Sequence, residues 1–168
     1  NYELFSHPEF RKALAALVNR DEIQNSIKQY GNAQGVVPSE VTLLNTPYRE
    51  YADDVATIQY DPDTAYADYL LIDEQIDKDQ LVGARIILPD ESMKEAVSYI
   101  MQEWQRVLGF YCVVEVLSVE EYEKRLSSGD FELAIVELVG GYNSPEAYLS
   151  AFTSNSSSNY SDYFNLEF

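Results

Sequence analysis

Between residues 84 and 136 the apolar pattern switches repeatedly between period two and period 3.6, and this limits the fold more than any other feature. Ala84-Arg-Ile-Ile-Leu88 has the character of a strand ended by Pro89. Ser92 and Glu95 then have the spacing of a capping box, and Met93, Val97, Ile100, Trp104, Val107 and Leu108 form one helical stripe that stops at Gly109. Tyr111 to Leu117 is β-rich and alternates around Val113, Val114 and Val116. Ser118 and Glu121 open a further short helix that closes at Gly129, and Phe131 to Val136 supplies a third strand. Strand, helix, strand, helix, strand predicts an α/β fold with a parallel βαβαβ unit and right-handed crossovers. Ligands of such sheets sit beyond the carboxyl ends of the strands, which directs attention to Pro89–Ser92 and Glu137–Asn143.

The remainder of the chain frames that unit. Pro8 suits a first helical turn, with Phe10, Ala13, Leu14, Leu17 and Val18 at helical spacing behind it. Asn19 and Glu22 start a second helix carrying Ile23, Ile27 and Tyr30, with Gly31 as its stop. From Asn32 to Gln59 the pattern is irregular and punctuated by Gly35, Pro38 and Pro47, a loop long enough to carry function or wrap a surface. Asp61-Pro62 caps a helix through Ala65, Tyr69, Leu70 and Ile72. A last short helix begins near Pro145. No internal repeat is present.

A chain of 168 residues, 46% hydrophobic and 24% charged, is long enough for one compact domain and short for two. Its 11 basic and 29 acidic residues give a net charge of −18, a surface that repels phosphate backbones and anionic membranes, so no nucleic-acid partner is expected. The longest apolar run, Ala13 to Val18, is far too short for a transmembrane segment. A single cysteine, Cys112, excludes an internal disulfide framework and any multi-Cys metal site, and a single histidine, His7, disfavours His-based metal or triad chemistry. The chain opens on Asn1 rather than Met, and the expectation is a mature or excised piece.

The remaining constellations have ordinary explanations. Asp61, Asp63 and Asp68 lack the glycine and terminal glutamate of an EF-hand loop, and helix capping accounts for the first two, so no metal is expected. His7 has no nucleophile beside it in sequence, and Ser154 to Ser158 contains no nucleophile elbow. Cys112 lies in an apolar strand, as a small buried hydrophobe does. Catalytic residues and cofactors are therefore absent from this reading. Gly140-Gly141 fits either a tight strand exit or a close backbone approach to a ligand, and its place after the third strand favours the ligand role. Fourteen tyrosines offer amphipathic cleft surface, although those at helical spacing, Tyr69 and Tyr122, are placed for packing.

Several motifs, in order along the chain, resemble those of the family 5 extracellular solute-binding proteins, the peptide, oligopeptide and nickel receptors of ABC importers. Pro8-Glu-Phe-Arg-Lys-Ala-Leu14 through Asn19-Arg-Asp-Glu-Ile23 is similar to the family's opening helix pair, and Tyr60-Asp-Pro-Asp-Thr-Ala65 to its "YDPEKA" helix start. Leu108-Gly109-Phe110 with the valine-rich strand resembles "LGIxVEL", Gly129-Asp-Phe-Glu132 resembles "GDFD", and Tyr142-Asn-Ser-Pro145 resembles "YNEP". Asn159-Tyr-Ser-Asp-Tyr163-Phe-Asn165 is similar to the family's "NxxxYxN".

The resemblance implies a type II periplasmic-binding-protein-like lobe, mainly a parallel sheet flanked by helices. Residues 1–168 would form a single α/β lobe, most of the C-terminal lobe of a longer two-lobe receptor. It implies no catalysis. The partners would be a peptide or other small solute and a membrane permease, and the location the periplasm or, with a lipid anchor, the outer side of the cytoplasmic membrane. An aspartate directly before the "YNEP" segment holds the ligand's amino group in peptide-binding members, and Gly141 occupies that place here. The segments expected to line the cleft are Leu138, Val139, Gly140, Gly141, Tyr142 and Asn143, together with Pro89 and Asp90, with Lys94 placed to reach an anionic group. A sugar, metal-chelate or opine ligand, and a sensory or interaction domain built on the same lobe, are the alternative expectations.

Overall fold

The structure, a computed structural model, describes residues 3–27, 35–52 and 58–161. The predicted helix stop at Gly31, Tyr30 before it, and the end of the "NxxxYxN" match lie outside these residues. In chain order the regular elements are α1 (Pro8–Ala16), α2 (Arg20–Ser26), β1 (Thr42–Leu43), β2 (Thr46–Pro47), α3 (Pro62–Leu70), β3 (Val82–Leu88), α4 (Lys94–Leu108), β4 (Tyr111–Val116), α5 (Val119–Ser128), β5 (Leu133–Ala134) and α6 (Glu146–Leu149), with short 3-10 turns between some of them. The chain packs as two compact units. One comprises residues 1–32, 58–123 and 131–135, and the other residues 33–57, 124–130 and 136–168.

The first unit holds a three-stranded parallel sheet in the order β4-β3-β5. Its central strand is buried on both faces: Ala84, Ile86, Ile87 and Leu88 are all inaccessible or nearly so. A parallel strand covered on both sides reads as a continuous apolar run, which is why Ile86-Ile87-Leu88 shows no alternation. At its start the register slips between Val82 and Ala84, where Gly83 takes a φ of 92°. Such an irregularity suits glycine.

Helices pack this sheet through two apolar clusters. Leu4, Phe10, Leu14 and Leu17 meet Ala65, Tyr69 and Ile72 of the α3 segment and Trp104, Leu108 and Phe110 at the end of α4. Phe10 and Phe110 meet edge to face at 5.3 Å and 87°. Ile86 and Leu88 pack with Val97 in the second cluster. The Asp61 amide donates to the Ala16 carbonyl at 2.9 Å, joining the start of α3 to the end of α1. Asp61 caps α3 as its sequence foretold, accepting from Asp63 N at 3.1 Å and Thr64 N at 3.0 Å. Gly109 ends α4 in the left-handed region, φ 65°.

Three local expectations are corrected. Ser92 does not cap the helix before the second strand; Asp90 caps a 3-10 turn over Glu91–Met93, accepting from Ser92 N at 2.7 Å, and α4 continues from that turn with no side-chain cap of its own. Asp90 is an equally good cap and comes earlier in the chain. The strand expected over Phe131–Val136 is reduced to Leu133–Ala134. At its beginning the Glu132 carboxylate takes the Arg85 amide at 3.1 Å, and a side chain thus replaces a ladder carbonyl.

The third correction lies in the second unit, where the supposedly irregular loop contains the antiparallel hairpin β1–β2, with Thr42 opposite Pro47 and Leu43 opposite Thr46. Leu44 and Asn45 form its two-residue turn at φ values of 53° and 68°. Positive φ at both central positions matches the twist of a tight hairpin. The short helix α6 and the end of α5 also belong to this unit.

Candidate functional site

The predicted ligand residues follow the carboxyl ends of two neighbouring strands, β3 and β5, and they divide between the two units. Pro89, Asp90 and Lys94 belong to the first unit; Leu138 to Asn143 belong to the second.

In the first unit, Pro89 is half-buried and Asp90 exposed. The Asp90 carboxyl accepts from Ser92, whose hydroxyl and amide hold it below the usual carboxylate range. Its oxygens thus serve the turn into α4. The Lys94 ammonium lies 2.9 Å from Glu91 Oε1 and 2.8 Å from Oε2, so its charge is already matched by a neighbouring carboxylate. Both side chains are substantially exposed, and such a pair is held loosely. In the same unit an open depression of about 270 Å³ lies along α4 and the start of β4, bordered by Ser98, Met101, Gln105 and Cys112, and none of the predicted residues lines it.

In the second unit, the segment 138–143 is pinned at two points. A Cβ built on Gly140 would come within 2.4 Å of Tyr148 Cζ, so the ring of Tyr148 occupies the space that any side chain at Gly140 would need. Gly141 differs: nothing lies within 4 Å of its would-be Cβ. The Gly-Gly pair therefore combines a packing glycine with an open one. At the far end, Asn143 Oδ1 accepts from Thr42 N at 3.0 Å, and Asn143 Nδ2 donates to Thr42 Oγ1 at 3.2 Å. Asn143 thus binds the hairpin with both ends of its amide. Tyr142, between the pins, is 58% exposed, and Val139, just before the first, is 77% exposed. Leu138 is half-buried.

Thr42 and Tyr148 were not among the residues singled out from sequence. No local signal marks them, since Thr42 meets Asn143 across a separation of 101 residues. The surface formed by Val139, Gly141 and Tyr142 offers apolar and aromatic contact with open space beside Gly141, which suits an extended or small ligand. Among the described residues no group of three or more His, Cys, Asp or Glu side chains is gathered to hold a metal ion. No helix among them is long and apolar enough to cross a membrane.

Comparison with solved structures shows the same fold. The pheromone receptor PrgZ, in a structure describing its mode of peptide binding, aligns with a TM-score of 0.84 at 20% identity, over 97% of this chain and 33% of that one. The peptide-binding protein of a peptide ABC transporter aligns at 0.83 and 21% identity, over 99% and 75%. Listeria monocytogenes OppA bound to peptide aligns at 0.83 and 17% identity, over 98% and 33%. The chain thus spans about a third of the length of PrgZ and of that OppA. These relatives are type II periplasmic binding proteins, the fold expected from the sequence. No curated protein sequence matches the chain. The model of the bacterial extracellular solute-binding proteins, family 5 Middle, matches residues 1–160, and the chain belongs to that family.

Proposed function

We propose that this chain is the larger part of one ligand-binding lobe of a longer two-lobe receptor, the C-terminal lobe as its motifs suggest, which captures peptides and delivers them to the permease of an ABC importer. The family match over residues 1–160 carries the reading. It is supported by structural relatives described as a peptide-binding receptor, a peptide-binding protein of a peptide ABC transporter, and a peptide-bound OppA. In this reading the receptor works outside the cytoplasmic membrane, in the periplasm or on a lipid anchor, and performs no catalysis. The segment Leu138–Asn143 contributes backbone groups and the Tyr142 ring to the ligand surface, with Pro89, Asp90 and Lys94 as separate candidates in the other unit. Closure of two lobes over the ligand would follow the hinge motion of binding proteins.

A second reading, a receptor for a non-peptide solute, is favoured by one observation: Gly141 stands where the resemblance expects an aspartate for the ligand amine. Native mass spectrometry on the full-length receptor, purified without added ligand, separates the two. A heterogeneous set of bound masses that sequence as short peptides supports the peptide receptor. One sharp non-peptide mass transfers the reading to a specific nutrient. A full-length gene without a second lobe ends the transport reading in favour of a sensory or interaction domain.

A further inference from the structure

Leu44 combines two unfavourable features. It sits at φ 53° in the hairpin turn, a conformation in which an L side chain crowds its own backbone. Its turn neighbour Asn45, at φ 68°, is of a type that tolerates this region well, whereas leucine is not. Leu44 is also 85% exposed, more than any other large apolar side chain among the described residues. The fold of this unit therefore gains neither an easy turn nor apolar burial from the residue. Strain of this kind concentrates at ligand clamps.

The position of the turn gives the strain a use. Thr42 is held to Asn143 by two hydrogen bonds, of 3.0 and 3.2 Å, which join the hairpin to the candidate ligand loop inside the same unit. Two residues of chain reach at most about 7 Å, so the Leu44 backbone lies within that distance of the joined point. The loop itself exposes Val139 and Tyr142. We propose that the hairpin tip belongs to the ligand surface, and that Leu44 is a specificity residue which meets a bulky apolar side chain of the bound peptide. The Thr42–Asn143 clamp sets its position. The inference rests on the peptide-receptor reading and adds to it the class of peptide preferred.

The test uses the full-length receptor and its Leu44→Gly variant, with penta-alanine and a set of penta-alanine peptides carrying one Leu at each position in turn. Glycine relieves the positive φ, so the ligand-free melting temperature of the variant should rise by about one degree. Over the same substitution, the dissociation constant of the best Leu-containing peptide should rise roughly tenfold, the scale of one leucine's lost apolar contact, while that of penta-alanine stays within about twofold. Stability and affinity then move in opposite directions, which no general damage to the fold can produce. Equal affinities of wild type and variant for every peptide would overturn the inference while leaving the receptor reading intact. Equal weakening of penta-alanine and the Leu peptides would also overturn it, because selectivity would be absent. Failure of the wild-type receptor to bind any of these peptides would overturn the peptide-receptor reading, and this inference with it.

Discussion

Arg85 and Glu132 are joined by a two-pronged ion pair, Nη2 to Oε1 at 3.0 Å and Nε to Oε2 at 3.0 Å, and the Arg85 amide donates to the same Oε2 at 3.1 Å. One carboxylate therefore binds both the side chain and the backbone of the central strand, immediately before β5 begins. The Arg85 guanidinium holds the Glu132 carboxyl below its usual range, with the backbone amide adding to the effect.

The sign of the pH dependence follows. A carboxyl whose folded pKa is depressed contributes stability that is complete above its unfolded value, near 4.5, and is lost as pH falls through the folded value. Glu132→Gln should cost about 1–2 kcal/mol at pH 7, since charge-assisted bonds are replaced by neutral ones and the guanidinium loses its partner. The gap between wild type and variant should narrow as the pH is lowered below about 4.5. Comparing the two proteins at each pH cancels the relief of self-repulsion that a chain of net charge −18 also undergoes in acid. Urea titrations at pH 7, 5 and 3.5 measure it; a gap that stays constant with pH would show that the Glu132 charge has no part in the stabilisation.

Trp104 fills the main cluster and donates its indole N–H to the Leu14 carbonyl at 2.9 Å, a buried bond from α4 to α1. Trp104→Phe keeps a ring but removes the donor and part of the volume. A loss of about 2 kcal/mol is expected from the broken bond and the small void together. Because this is the only tryptophan, the urea midpoint should be followed by circular dichroism rather than fluorescence. An unchanged midpoint would mean that neither the indole hydrogen bond nor the extra volume of the ring stabilises the cluster.

Burial pushes the Cys112 thiol up to about 12. At pH 8 only about one molecule in ten thousand then carries the thiolate, the reactive form. Native protein should stay essentially unlabelled by a disulfide reagent for minutes, while the urea-unfolded chain reacts within seconds. Labelling at equal rates in both states would place the thiol in solvent.

The parts of the fold legible in the sequence are those set by local pattern. The α4 stripe stops at Gly109 because a left-handed cap suits glycine, Asp61 announces α3, and the apolar run of β3 marks a strand covered on both faces. Features set by distant partners were hidden. The shortening of β5 depends on a carboxylate 47 residues from Arg85, and the attachment of the loop depends on Thr42 and Asn143, 101 residues apart. The hairpin was missed for another reason: leucine at positive φ is contrary to turn chemistry, so Leu44-Asn45 carries no recognisable turn signature. The candidate site shows the same limit. Position after β5 pointed to residues 138–143, but the sequence could not separate Gly140, which faces a ring, from Gly141, which faces open space.

That difference between adjacent glycines yields a paired prediction. Gly140→Ala must displace the Tyr148 ring, since its Cβ would lie 2.4 Å from Cζ and 2.5 Å from Cε2. The variant should be destabilised by about 1–3 kcal/mol, the range for overpacking, unless the ring swings clear. A Cβ at Gly141 meets no atom within 4 Å, so Gly141→Asp should change stability by no more than about 0.5 kcal/mol. In the full-length receptor this second variant restores a carboxylate where the family resemblance places the anchor for a ligand amine. It should favour a free-amine peptide over its N-acetylated twin roughly tenfold more than wild type does, the scale of one charge-assisted hydrogen bond. Calorimetric titration with both peptides measures the ratio. A stable Gly141→Asp variant with the wild-type ratio would mean that residue 141 does not face the amine of a bound peptide.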